Sequence, residues 1–253
     1  MSTSTVCPAS KHVLVPCLNR VAWHQPLAWL GAGWDDFKSL WSHSLAYGAI
    51  FALLGYALVH IGWSHHHIAI TLTTGFLLVS PFLATVFYGL SRRREQPGTD
   101  AFASLRENLP SIGLFALMLI FTLSVWERLS AVLVGLHLGS SRVPDASLAW
   151  LFSAENLEFV IAFTLVGAII AVLVFAISVV SLPMLMDRRV DLVTAMMTSL
   201  WVVRENPLAM LVWAAAIVLL TGIGIATSFI GLVVIFPVLG HATWHAYRDL
   251  VQP

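Results

Sequence analysis

PLAMLVWAAAIVLLTGIGIATSFIGLVVIFPVLGHATWHA, residues 207–246, is an almost unbroken apolar run, and whether it forms one helix or two sets the architecture of the chain. One helix of that length would extend about 60 Å at 1.5 Å per residue, twice the hydrocarbon core of a bilayer. Thr221-Gly222-Ile223-Gly224 offers a break, with two glycines suited to a tight turn. The run therefore reads as two spans, 207–222 and 225–246. The first is short enough that a re-entrant, membrane-buried segment is the alternative.

Four more apolar stretches lie upstream, at 44–63, 67–90, 110–137 and 157–183, which brings the expected count to six. The cations agree. Lys11, Arg20 and Lys38 precede the first span, and Arg92, Arg93, Arg94 and Arg106 separate the second from the third. Arg188, Arg189 and Arg204 separate the fourth from the fifth, and Arg248 follows the sixth. All eleven fall on one side of a six-span chain, Arg142 falls in a loop on the other, and Arg128 sits inside a span. By the positive-inside rule both termini are then cytoplasmic, whereas five or seven spans would scatter these charges.

Composition points the same way. Apolar residues make up 58% of the chain and charged residues 10%, against about 25% charged in a soluble domain. Mean hydropathy is +0.86. The lipid bilayer is the expected partner, and a formal net charge of zero gives no reason to expect nucleic acid. Cys7 and Cys17 lie in a polar N-terminal cytoplasmic segment, 1–33, in no zinc or redox spacing, so two free thiols are expected. No basic segment followed by an apolar run and a cleavage site opens the chain, so no signal peptide is expected.

Within the membrane domain, 34–250, the chain repeats. Gly231-Leu-Val-Val-Ile-Phe-Pro237 matches Gly75-Phe-Leu-Leu-Val-Ser-Pro81 at an offset of 156 residues, which also aligns Tyr88 with Trp244, Arg92 with Arg248 and Asp35 with Asp191. Asp100 heads a weaker middle copy, and Arg106-Glu107-Asn108 and Arg204-Glu205-Asn206 recur just before Pro110 and Pro207. The expected fold is all-α: six transmembrane helices in three parallel hairpin repeats, about 34–94, 99–189 and 190–250. Each repeat would open on an aspartate N-cap and a short amphipathic helix. Pro81, Pro183 and Pro237, near the cytoplasmic ends of the even spans, are expected to kink them. Parallel repeats, unlike inverted ones, weigh against alternating access.

Two segments carry a family likeness: Phe175-Ala-Ile-Ser-Val-Val-Ser-Leu-Pro-Met-Leu-Met-Asp187 and Gly240-His-Ala-Thr-Trp-His-Ala-Tyr-Arg248. With the Asp35 region, Gly75–Arg94 and Val125-Trp-Glu-Arg128, the chain resembles the bacterial integral membrane proteins of domain of unknown function 2189 over most of 34–250. Some members are labelled cytochrome c oxidase subunits. The resemblance implies a six-span protein of the bacterial cytoplasmic membrane and brings no assigned catalytic residues or activity.

Chemistry-bearing residues are few. His241 and His245, four apart, share a helical face and suit Zn or Cu, with His43 as third ligand. Beside Trp244 and Tyr247 they also suit an interfacial belt without metal. His65, His66 and His67, with His60 and His137, gather on the outer side as a looser metal or pH-sensing group, or as a solvated loop. Haem is disfavoured because no histidine lies near mid-bilayer. Glu127 and Arg128 form an intramembrane charge site, where charge is expensive. Adjacent helical residues diverge by about 100° and cannot pair with each other, so Arg128 is expected to reach Glu155 or Glu158. The site reads either as a charge network locking helices or as a proton- or ion-handling centre. No phosphate-binding loop, nucleophilic triad or metalloprotease motif is present, and no polar domain is large enough to house soluble catalysis, so the reading leans against an enzyme, whose active site would have to lie within the bundle. The leading functional expectation is a non-catalytic accessory or assembly component of a membrane complex, with other complex subunits as partners. A small-solute or ion transporter using Glu127 and Arg128 and a metal-binding membrane protein are the alternatives.

Overall fold

Lipid offers no partner for a bare backbone amide, so an apolar segment must satisfy its own hydrogen bonds, and a helix does so. The computed structural model describes residues 5–6, 16–63, 82–98, 106–138 and 153–252. Apart from one antiparallel strand pair, β1 (Thr5–Val6) with β2 (Leu18–Asn19), its regular elements are helices. These are α1 (Gln25–Ser39), α2 (Trp41–Trp63), α3 (82–95), α4 (Leu109–Leu138) and α5 (Leu157–Ser178). They continue with α6 (Ser181–Asp187), α7 (Leu192–Glu205), α8 (Pro207–Ala226) and α9 (Leu232–Leu250).

Among the described residues three segments are long and apolar enough to cross a bilayer: Leu109–His137, Leu157–Asp187 and Pro207–Ala226. They display large apolar side chains outward, among them Phe121, Leu136, Val172 and Leu219, and α5 has no buried residue at all. A helix that is apolar on every side and bare has lipid for its solvent. The expected first span lies within α2, only 82–90 of the second is described, and the sixth coincides with most of α9.

The chain divides into two compact units. In residues 116–175, α4 and α5 run antiparallel: Trp126 packs edge-on against Phe163 (5.0 Å between centroids) and His137 stacks on Phe159 (4.7 Å). The other unit, 1–115 with 176–253, is built around α9, which buries Leu232, Pro237, Leu239, Gly240, His241, Ala242, Trp244, Ala246, Tyr247 and Leu250. Helix α2 lies so close to α9 that a Cβ on Gly48 would collide with the Val233 carbonyl. Phe51 stacks flat on Phe236 at 3.5 Å just beyond. Helix α1 lays Trp29 against Trp213 of α8, and Asp249 at the end of α9 accepts from Trp29 Nε1 (2.8 Å) and Gln25 Nε2 (2.9 Å).

Three sequence expectations are corrected. The break in 207–246 falls at Thr227–Gly231, not at Gly222–Gly224. Ser228 and Phe229 take φ of 53° and 69°, and Phe229 N donates to the Gly224 carbonyl (3.1 Å), closing the helix end by backbone geometry. Gly224 stays helical and serves packing, because a Cβ there would meet the Leu232 side chain. Helix α8 thereby runs a turn past residue 222 and, at 20 residues, reaches about 30 Å. Asp35 is not an N-cap: it lies inside α1 and pairs with Lys38 (2.9 Å), because α1 begins at Gln25 with Pro26 in its first turn. Asp191 does cap its helix, accepting from Thr194 N (3.1 Å) and Thr194 Oγ1 (2.6 Å). Cys17 is disulfide-bonded instead of free; it directly precedes β2, which pairs antiparallel with β1. Cys7, His65, His66, His67, Gly75–Pro81, Asp100 and Arg142 lie outside the described residues.

Candidate functional site

Four helices of the larger unit bring polar side chains to one buried point. Helix α9 supplies His241, α2 Ser44, α3 Ser91 and α1 Asp36; each is at most 3% exposed. Polar groups in such a place must satisfy one another, and here the order of proton donation follows. Ser91 Oγ lies 2.5 Å from Asp36 Oδ2, and an ionised carboxylate only accepts, so the hydroxyl proton points at Asp36. The Ser91 oxygen is then free to accept from His241 Nδ1–H at 2.7 Å. That tautomer leaves Nε2 to accept from Ser44 Oγ–H at 3.0 Å. Donation therefore runs in one direction, from Ser44 through His241 and Ser91 to Asp36.

Asp36 collects more. His245 Nε2, one turn beyond His241, donates to the same Oδ2 at 3.0 Å, and Arg94 Nη1 pairs with Oδ1. Burial opposes ionisation of Asp36, but the hydrogen bonds from His245 and Ser91 lead the influences that outweigh it and hold the carboxyl down at about 2. Asp36 is thus a buried anion with donors on both oxygens.

A second acidic centre adjoins it. Asp187, at the end of α6, accepts from Tyr247 OH at 2.8 Å and lies 3.5 Å from Arg92 Nε and 3.6 Å from Arg248 Nη1. Arg188 Nε donates to the Tyr247 oxygen at 2.8 Å. Burial, then the Asp187 charge, push the Tyr247 phenol above its ordinary value. Glu95 of α3 joins the two centres, 3.8 Å from His245 Nδ1 and 3.3 Å from Arg248 Nε. Asn108, buried before α4, donates to the Leu185 carbonyl at 2.7 Å and to the Arg188 carbonyl, fastening the α6 end from beneath.

The arrangement is not that of a nucleophilic triad. There the histidine stands between acid and serine and can take the hydroxyl proton. Here the serine stands between acid and histidine, and its proton is already committed to Asp36. The cluster's chemistry is charge stabilisation and helix clamping.

Of the residues singled out from the sequence, His241 and His245 do share a face and meet at Asp36. His43 is exposed and reaches its neighbour Ser42 (3.4 Å). Among the described residues no group of three His, Cys, Asp or Glu side chains converges on a metal-sized site. In the smaller unit, Glu127 is partly buried, and its Oε1 has no hydrogen-bond partner among the described residues. Arg128, Glu155 and Glu158 are exposed, and among the described residues no ion pair joins Arg128 to either glutamate. His137 Nε2 instead meets Asn156 Oδ1 at 2.8 Å. Sequence reasoning missed Asp36, Ser44, Ser91, Arg94 and Asp187. One signal did point here: the two segments that carried the family likeness, ending at Asp187 and Arg248, are the ones that meet through Tyr247 and Arg248.

Bare apolar helices of membrane length define an integral membrane protein. A family model described as predicted integral membrane protein (DUF2189) matches residues 68–187, which include α3 and Asp187. No curated protein and no solved structure matches the chain.

Proposed function

We propose that the chain is a non-catalytic, multi-pass accessory or assembly component of a bacterial cytoplasmic-membrane complex, with six spans in three hairpin repeats and both termini cytoplasmic. The observation that carries the reading is His241: fully buried, with Ser44 and Ser91 on its two ring nitrogens, it is committed to holding α1, α2, α3 and α9 together. A centre so saturated supports rigidity, the property a scaffold for other subunits needs. The one-sided placement of the cations supports the topology, and the oxidase label of some family members points to respiratory complexes. Purification under native conditions at endogenous level tests the role: a stable larger assembly is expected, and a chain that migrates alone counts against it. For topology, single cysteines at Ser64 and Ser141, in a background lacking Cys7 and Cys17, should react with an impermeant thiol reagent from outside. One at Gln96 should not, and the reverse pattern inverts the assignment.

One observation favours a second reading. The partly buried Glu127 carboxyl, one oxygen of which has no partner among the described residues, lies in an apolar helix and is suited to bind and release a proton or cation. Flux in proteoliposomes that is unchanged by Glu127→Gln and Arg128→Ala would remove that reading.

A further inference from the structure

Helix α7 turns apolar side chains away from the rest of the fold. It buries Ala195, Thr198, Ser199 and Val202 and turns Val193 and Leu200 outward, with Met197 and Arg204 on the same stripe at helical spacing. Asn206 alone separates it from α8, a membrane-length helix whose Leu208 and Leu211 are bare at once. Helix α7 therefore sits at the depth where α8 enters the bilayer. The start of α1 is fastened to the same place: Arg20 pairs with Glu205 (2.6 Å), and Val21 N donates to Asn206 Oδ1 (2.8 Å). From there Trp23, Leu27 and Trp34 project outward on one side, between 45% and 63% exposed, while Trp29, Gly33 and Phe37 face inward. Leu27 and Trp34, seven residues apart, fall within about 20° on a helical wheel, and Trp23 stands in the turn that leads into α1.

Arg204 stands at the polar rim. Arg204 lies over the Trp201 ring at 4.9 Å, and among the described residues no carboxylate pairs with it. Tryptophan and arginine beside an apolar stripe are the composition of a helix lying in the headgroup region. We propose that α1 and α7 form a belt embedded in the cytoplasmic-leaflet interface, Trp23, Leu27, Trp34, Val193 and Leu200 entering the acyl boundary and Arg204 holding the phosphate of an anionic phospholipid. The bilayer is the occupant because the belt is continuous with the membrane-length α8; a second protein chain would owe nothing to that continuity. The belt does not depend on the accessory role proposed above.

The full chain, reconstituted in vesicles of phosphatidylcholine alone or with phosphatidylglycerol, tests this through quenching by lipids brominated near the carbonyl end of the acyl chain. The signal is the emission of the wild type minus that of Trp23→Phe/Trp34→Phe, which isolates the two belt tryptophans. Both replacements are exposed and conservative, and an unchanged melting temperature verifies folding. Quenching of this difference emission by about two-fold or more is expected for rings at the acyl boundary. It should be stronger with phosphatidylglycerol, and Arg204→Gln should abolish that dependence on headgroup charge. Unquenched, red emission would mean the belt faces water, and unquenched, blue emission would mean protein covers it; either overturns the proposal. Quenching indifferent to phosphatidylglycerol and to Arg204→Gln would overturn the anionic-lipid assignment.

Discussion

Replacing Asp36 by Asn removes one negative charge while keeping shape, and the structure sets the cost. The wild-type carboxylate accepts from Ser91 and His245 and pairs with Arg94. Removing one partner of a buried charge pair costs about 3–5 kcal/mol when the other stays buried. Arg94 is 44% exposed and can turn to water, so the lower end applies. Linkage yields a similar size. The folded carboxyl titrates at about 2, below its ordinary value of 3.8, which corresponds to roughly 2–3 kcal/mol at neutral pH. The sign is that of a depressed acid: between pH 4 and 2 the unfolded state binds more protons. The contribution is therefore complete above pH 4 and lost as pH falls through 2. Thermal unfolding in lipid nanodiscs, followed by intrinsic fluorescence, should show Asp36→Asn melting about 5–10 °C below wild type at pH 7. The gap should narrow as both proteins approach pH 2. A shift under about 2 °C, or a gap constant with pH, would refute the view that Asp36 is the ionised anchor of the cluster.

The serines should rank. Ser91→Ala strips a donor from Asp36 and an acceptor from His241 and should cost about 2–3 kcal/mol, whereas Ser44→Ala, which strands only His241 Nε2, should cost about 1–2 in the same melt. Gly48→Ala pushes a methyl group against the Val233 carbonyl and should lower stability by about 1–3 kcal/mol, readable as a lower detergent concentration at unfolding. Asp191→Ala should cost about 1 kcal/mol through loss of the α7 cap. Its carboxyl is held below the usual range chiefly by the Thr194 side chain. That loss should therefore be full at neutral pH and fade below pH 4, where the wild-type cap begins to protonate.

What could be read from the chain was whatever a residue's own neighbours decide. The apolar runs at 110–137, 157–183 and 207–222 lie within the three membrane-length segments observed, because transfer of a helix into lipid depends on composition and length, not on what it later touches. The pairing of His241 with His245 on one face was legible for the same local reason: four residues make about one turn. Tertiary structure decided the rest. Asp35 and Asp36 are adjacent and chemically alike, but about 100° of helical rotation sends one to solvent beside Lys38 and the other under α9 to Ser91 and His245. Ser44 and Ser91 carry no local mark of function; they matter because α2 and α3 meet α9 at His241, 197 and 150 residues further on. The helix break moved from Gly222–Gly224 to Thr227–Gly231 because Gly224 was needed to admit Leu232. Sequence determines which segments must leave water, but which faces meet inside is set by packing and by mutual satisfaction of buried polar groups. That depends on partners far along the chain.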